Sequence, residues 1–207
     1  MTTTADATGR VSRRSVDKFE ERRRELADAA LVTLSELGYA RTSLREIAQN
    51  SPFSHGVLHY YFRDKVELIT YCVRRYKSVC VRRYDSVVES AGTVSELVEG
   101  FAEAMARTVV EDATMHRLWY DLRSQALFEA SFQDDVLEID ASMRAMIWRV
   151  VTRYAELSGR PALVAEDAAY GAFDGMFQHA LLRHLAGDPD APAGLEAGVR
   201  RLLPLVG

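Results

Sequence analysis

The stretch from Thr42 to Lys65, TSLREIAQNSPFSHGVLHYYFRDK, constrains this chain more than any other. Ser43 stands three residues before Glu46, the spacing of a capping box, in which the hydroxyl takes the Glu46 N–H and the carboxylate returns to the cap. Leu44, Ile47 and Ala48 then fall on one face of a short helix. Pro52 ends it, because proline lacks an N–H and biases Ser51 away from helical angles. Ser54 is placed to cap a second short helix, with Val57, Leu58, Tyr61 and Phe62 as its apolar positions. Two short helices so joined make a helix-turn-helix, whose second helix is the one that enters a major groove.

Beside its apolar face the second helix offers His55, Gly56, His59 and Tyr60, with Arg63 and Lys65 just beyond its end. Small and polar residues near a helix start suit base edges, and cations at its end suit phosphates. Taken alone, these residues also fit two packed helices of an ordinary α-helical bundle with the aromatics as core.

The wider stretch Arg24 to Val73 resembles the DNA-binding domain of the TetR family of bacterial transcriptional regulators. The resemblance rests on a first helix ending in Gly38-Tyr39, then Thr42-Ser43-Leu44, Ile47-Ala48, Ser54, Gly56, Leu58, Tyr60-Tyr61-Phe62, Lys65 and Leu68, in order and spacing. One departure is Pro52-Phe53, where the family usually carries Gly-Val. Glycine tolerates a positive φ and proline does not, so the turn is expected to take another path and tilt the second helix. The resemblance implies a groove-facing set of Ser54, His55, Gly56, His59 and Tyr60, and a phosphate set of Thr42, Ser43, Tyr61 and Lys65. It further implies a homodimer on a palindromic double-stranded DNA operator. Most such proteins are repressors, and a small-molecule effector in the C-terminal bundle weakens their hold on DNA.

Charge is distributed accordingly. The net −4 divides into +2 over residues 1–65 (11 Lys+Arg against 9 Asp+Glu) and −6 over residues 66–207 (15 against 21). Arg10, Arg13, Arg14, Lys18 and the run Arg22-Arg23-Arg24 form a basic cluster fit for phosphates. Residues 1–15, rich in Thr, Ala, Ser and Gly, read as a disordered basic arm, 16–65 as the helix-turn-helix domain, and 66–207 as a helical ligand-binding and dimerisation domain.

Only helical periodicity is found elsewhere, so the fold class is all-α, a three-helix reader plus a bundle, with about nine helices altogether. Apolar residues recur from Val16 to Leu37, with Gly38 at the C-terminal position, so that Phe19, Leu26 and Ala30 brace Ile47, Leu58 and Phe62. Lys65 opens a long helix expected to run to about Ser90, its stripe Val66, Ile69, Val73, Tyr76, Cys80, Tyr84 and Val87 flanked by Arg74, Arg75, Lys77, Arg82 and Arg83. Further helices are expected from Ser95 to Val110, Met115 to Ala130, Phe132 to Ser158, Glu166 to Ala186 and Gly194 to Leu203.

Two jobs suit such a bundle. Met115, His116, Trp119, Tyr120 and Arg123 lie along one helix, and Phe128, Met143, Trp148 and Tyr154 follow; aromatics and Met around a few polar groups are the chemistry of a small-molecule site. An arginine among apolar neighbours needs an acid or a ligand anion, and Asp121 and Asp140 are possible partners. Pairing is the second job. Tyr170, Phe173, Met176, Phe177 and Leu181 spread around the penultimate helix, Gly171 and Gly175 permit close approach, and Leu195, Val199 and Leu202 continue the surface on the last one. Ordinary intrachain packing accounts for the same residues.

Other classes find less support. No Gly-x-Ser-x-Gly elbow, phosphate-binding glycine loop or HExxH helix is present for an all-α enzyme, and a pure protein-interaction bundle leaves the helix-turn-helix pattern unused. Cys72 and Cys80 give neither a disulfide framework nor a metal-site spacing, so no cofactor and no metal are expected. Without a membrane-length apolar run or an apolar leader, the expected location is cytoplasmic.

Overall fold

The computed structural model of the protein describes the backbone of residues 4–207 and the side chains of residues 16–207. The basic arm expected over residues 1–15 lies outside the described side chains. Among the described residues there is no strand, and ten α-helices follow one another. They group into two compact units, one ending at Cys72 and the other beginning at Val73.

The first unit is built on α1 (Thr4–Arg41), α2 (Leu44–Gln49), α3 (His55–Tyr61) and the start of α4 (Lys65–Cys80). Gly38 interrupts α1 at φ 75° and ψ 173°, a region a Cβ would penalise, so the regular helix stops at the expected glycine. The Ser43–Glu46 capping box is formed in both directions, and Ser54 Oγ accepts the Val57 N–H at 3.3 Å. Leu26, Ala30, Leu34, Ile47, Leu58 and Phe62 make a fully buried core. Phe19 does not join it. At 36% exposure it lies against Tyr61 and Tyr60, ring centroids 4.8 and 6.3 Å away. Arg23 turns inward instead, over the rings of Phe62 and Tyr71 and onto the Glu67 carboxylate at 2.8 Å.

The Pro52-Phe53 turn closes without strain. No non-glycine residue among those described has a positive φ. Phe53 N donates to Ser51 Oγ at 3.3 Å, and the Phe53 ring takes the Arg22 guanidinium 4.7 Å above it.

The second unit comprises the rest of α4, then α5 (Asp85–Ser90), α6 (Val94–Glu111), α7 (Ala113–Gln125), α8 (Gln133–Ser158), α9 (Glu166–Leu185) and α10 (Ala191–Val206), with a 3-10 turn at Ala130–Phe132. α6 is its centre. Leu97, Phe101, Ala102, Met105 and Val109 are buried as it packs on α8, α9 and α10. α9 and α10 meet closely at Gly198, where a Cβ would stand 2.4 Å from Met176 Sδ.

Several expected bounds shift for local reasons. The helix expected to reach Ser90 ends at Cys80, where Arg82 N and Arg83 N donate to Val79 O and Cys80 O. These i→i+3 bonds tighten the chain. Tyr84 then turns inward, edge-on to Phe101 at 5.0 Å. Thr93, not Ser95, caps α6, because its hydroxyl and Glu96 complete a capping box. α7 stops at Gln125, and the last helix begins earlier, with Pro192 in its first turn, where its missing N–H costs nothing.

Replacing Ser43 with Ala leaves the Glu46 N–H without its cap and should cost about 1 kcal/mol of local stability. Amide hydrogen exchange over α2 should accelerate correspondingly, while exchange over α6 stays unchanged.

Candidate functional site

In the first unit, α3 divides cleanly. Leu58 is fully buried and Phe62 follows it into the core, whereas His55, Gly56, His59 and Tyr60 are exposed, Tyr60 at 74%. The two imidazoles meet edge to face at 4.4 Å, and Tyr60 stands against Tyr61 at 5.0 Å. A helix anchored by one face and offering donors and acceptors on the other is what groove reading requires.

The phosphate set is less uniform. Ser43 is exposed, but Thr42 is buried and its hydroxyl donates to Gly38 O at 2.7 Å, which removes it from the set. Tyr61 is half-buried against Phe19. Lys65 Nζ donates to Tyr39 O at 3.1 Å and lies 3.9 Å over the Tyr39 ring, so it braces the loop before α2. Arg45, exposed on α2, is a cation that the motif reading passed over.

In the second unit a small cavity of about 30 Å³ opens among α4, α6, α7, α8 and α9. Its apolar walls are Met105, Trp119, Met143, Met146, Ile147, Phe173 and Phe177, and its polar groups are Lys77, Tyr84, His116, Tyr120, Tyr170 and Asp174. Asp174 is fully engaged: Oδ1 accepts from Tyr120 OH at 2.9 Å and Oδ2 from Arg123 at 2.5 Å. Arg123 also reaches Asp140 at 3.3 Å, and Asp140 accepts from Tyr170 OH at 2.8 Å. Burial and the adjacent carboxylate hold the Tyr120 hydroxyl protonated, well above the usual phenol range.

Lys77 is the least expected occupant. It is only 2% exposed, and among the described residues no carboxylate lies within ion-pair distance of its ammonium. It sits 3.4 Å from His116 Nδ1 and 5.1 Å from the centre of the Trp119 ring. Burial, with the Lys77 charge beside it, pushes His116 down to about 2, so the imidazole is neutral. Nδ1 therefore accepts and Nε2 carries the proton, and buried Nε2 has no partner.

The model of the "Bacterial regulatory proteins, tetR family" matches residues 26–72. The HTH-type transcriptional regulator BetI of Cronobacter sakazakii is 26% identical over 169 residues, covering 78% of this chain and 80% of its own. Residues 26–72 thus carry the match to the TetR-family DNA-binding domain. The chain is a DNA-binding transcriptional regulator similar to that family, and its fold agrees. A TetR-family regulator from Rhodococcus sp. superposes with a TM-score of 0.70 at 17% identity, over 90% of this chain and 98% of that one. Regulator FadR of Bacillus subtilis, solved in complex with stearoyl-CoA, gives 0.68 at 15%, over 86% and 95%.

The residues expected around a ligand are only partly brought together. His116, Trp119, Tyr120 and Met143 line the cavity. Met115, Trp148 and Tyr154 do not; the Tyr154 ring lies against Gly207. Phe128 is 87% exposed because α7 has already ended. Arg123 stands behind the wall in an ion pair, with the expected Asp140 and the unexpected Asp174.

The expected pairing surface is corrected similarly. Tyr170, Phe173 and Phe177 line the cavity, while Leu181, Leu195 and Val199 are buried within their own unit. Met176 is taken up by Gly198, and Leu202 is half-buried. Gly171 and Gly175 do face outward, with nothing within 4 Å of a Cβ built on either.

Two further cavity residues carry a signal in the sequence. Lys77 falls between Val73 and Cys80, and Asp174 between Tyr170 and Phe177, each at i+4 and i−3 on an apolar stripe. A charge in that register is buried.

His116 dictates a pH response. Between pH 6.5 and about 2 the unfolded imidazole is protonated and the folded one is not, so the unfolded state binds the extra proton and stability falls as pH drops below 6.5. The slope approaches about 1.4 kcal/mol per unit. His116→Gln, which keeps an acceptor for Lys77, should lose less melting temperature than wild type between pH 7 and pH 5 in thermal unfolding.

Proposed function

We propose that this regulator is a homodimeric repressor that reads a palindromic operator through α3 and is released when a small molecule occupies the cavity of the second unit. The observation that carries the DNA half is the anchored α3 with His55, Gly56, His59 and Tyr60 outward. Ser54, exposed at its start, completes the reading set. Ser43 and Arg45 are assigned to phosphates.

Pairing is assigned to the outward stripe of α9, Gly171, Gly175, Gln178, Leu182 and Leu185, all exposed at helical spacing. Leu182 is 66% exposed, so its apolar surface awaits cover. A two-fold dimer places two recognition helices on half-sites about one turn of DNA, roughly 34 Å, apart.

The switching half rests on α4. This helix begins in the reader at Lys65 and carries Lys77 into the cavity wall, so a ligand that favours one placement of α4 biases the reader by population shift. The FadR neighbour, solved with an acyl-CoA, supports occupancy of such a bundle. Among the described residues no helix is long and apolar enough to cross a membrane.

Selection of retained sequences from random duplexes, repeated at rising salt, tests the reading. A recovered palindrome whose affinity falls steeply with salt is the expected result, and retention of no sequence at any salt would overturn it. Arg45→Ala should weaken all sequences alike and reduce the salt slope by about one, while Tyr60→Ala should change the preferred sequence. Leu182→Glu, on a surface exposed in the single chain, should turn a dimer into a monomer by light scattering and remove operator binding.

A further inference from the structure

We propose that the cavity takes a small apolar monoanion, a short-chain carboxylate, whose head closes on the Lys77 ammonium. The inference rests on the cavity being the effector site and names the effector's chemistry.

Hydrogen-bonding inventory carries it. Both Asp174 oxygens are taken by Tyr120 and Arg123. The Tyr170 hydroxyl is taken by Asp140, and that of Tyr84 by Thr108. Among the described residues the cavity donors left short are Lys77 Nζ, whose hydrogen-bond contact is His116, and His116 Nε2, which has none; the Tyr76 hydroxyl beside them is also buried without a partner. A buried ammonium with no carboxylate at ion-pair distance is complemented by a negative charge, and the buried N–H of the neighbouring imidazole adds to that polarity. A neutral ligand adds nothing to the attraction that Lys77 already has from Asp174 and Asp112, and a cation adds a second positive charge.

The walls fix the rest of the ligand. Met105, Met143 and Met146 are unbranched thioethers that re-pack around an aliphatic chain. Lys77 also lines an outer groove with Arg74, Ser78, Val81, Glu138 and Ser142. Lys77 thus lines both spaces. Because Lys77 belongs to α4, pairing with it acts on the helix that begins in the reader.

Desolvation pushes the Lys77 ammonium down to about 8. The groups facing it are Asp112, His116 and Tyr120 from α7 and the residue before it, Asp174 and Tyr170 from α9, and Tyr76, Cys80, Arg83 and Tyr84 from its own segment; α6 and α8 bring only apolar lining. His116 stays neutral and the buried tyrosines stay protonated near pH 8. An anion on Lys77 raises its pKa, so binding takes up a proton above pH 8. Affinity should then fall by about tenfold per pH unit there.

Hexanoate, hexanamide and hexylammonium, matched in chain and differing in charge, are the probes for full-length protein, followed by thermal shift and calorimetry from pH 7 to 9.5. Hexanoate alone should raise the melting temperature, with proton uptake growing above pH 8, and Cys80→Ser should keep that pH dependence. Lys77→Met should melt higher than wild type without ligand, since a buried charge is gone, and ignore hexanoate. An equal response to hexanamide, a pH-independent affinity, or loss of the pH dependence in Cys80→Ser would overturn the inference. Should Lys77→Met not fold, proton uptake by wild type still decides. Operator binding by wild type separates the two readings. Retained DNA binding with no hexanoate response defeats this inference alone, and hexanoate bound through Lys77 without release of DNA defeats the switching half of the repressor reading alone.

Discussion

The second unit depends on one polar chain, Tyr120 to Asp174 to Arg123 to Asp140 to Tyr170, which ties α7, α8 and α9 together behind the cavity. Each member is partly or wholly removed from water, and each has a partner, the condition under which buried charge is tolerated. With the hydrogen bonds of this chain made, the donors left over in the cavity are those of Lys77 and His116, beside the one aspartate, Asp174, that lines it.

In the first unit the equivalent role falls to Arg23. Held over Phe62 and Tyr71 and paired with Glu67, it fastens α1 to the segment where α3 ends and α4 begins. The run Arg22-Arg23-Arg24 therefore does not act as one patch. Arg22 pairs with Glu25 and covers Phe53, and Arg23 points inward. The proline in the turn is accommodated because the Phe53 ring beside it gains the Arg22 guanidinium, a contact the small Gly-Val pair would not provide.

The helix ends of the reader were legible in the sequence. Its caps, its breaker at Pro52 and its Gly38 stop are local devices, acting within four residues, and a pattern of letters contains them. The bundle was legible as helices but not as faces. Tyr170, Phe173 and Phe177 read as surface for a partner because an all-round apolar helix does not say which side meets its own chain. Lys77 read as a solvated flank because lysine is nearly always one. Its register between Val73 and Cys80 said otherwise, and register outranks residue type when the stripe on either side is unbroken. Asp174 as the partner of Arg123 lies 51 positions along the chain, a distance that spacing arguments do not cross.

The division of α3 into an anchored and an outward face bears on how such a regulator changes over generations. Leu58 and Phe62 hold the helix, and the outward side chains at His55, His59 and Tyr60 contribute nothing to the core. On the reading proposed for α3 and the cavity, substitutions there redirect the protein to another set of genes without first endangering its folding. The cavity, walled by residues that also form the bundle's interior, has no such freedom. A lineage descended from this chain should therefore diverge in its targets sooner than in the signal it answers.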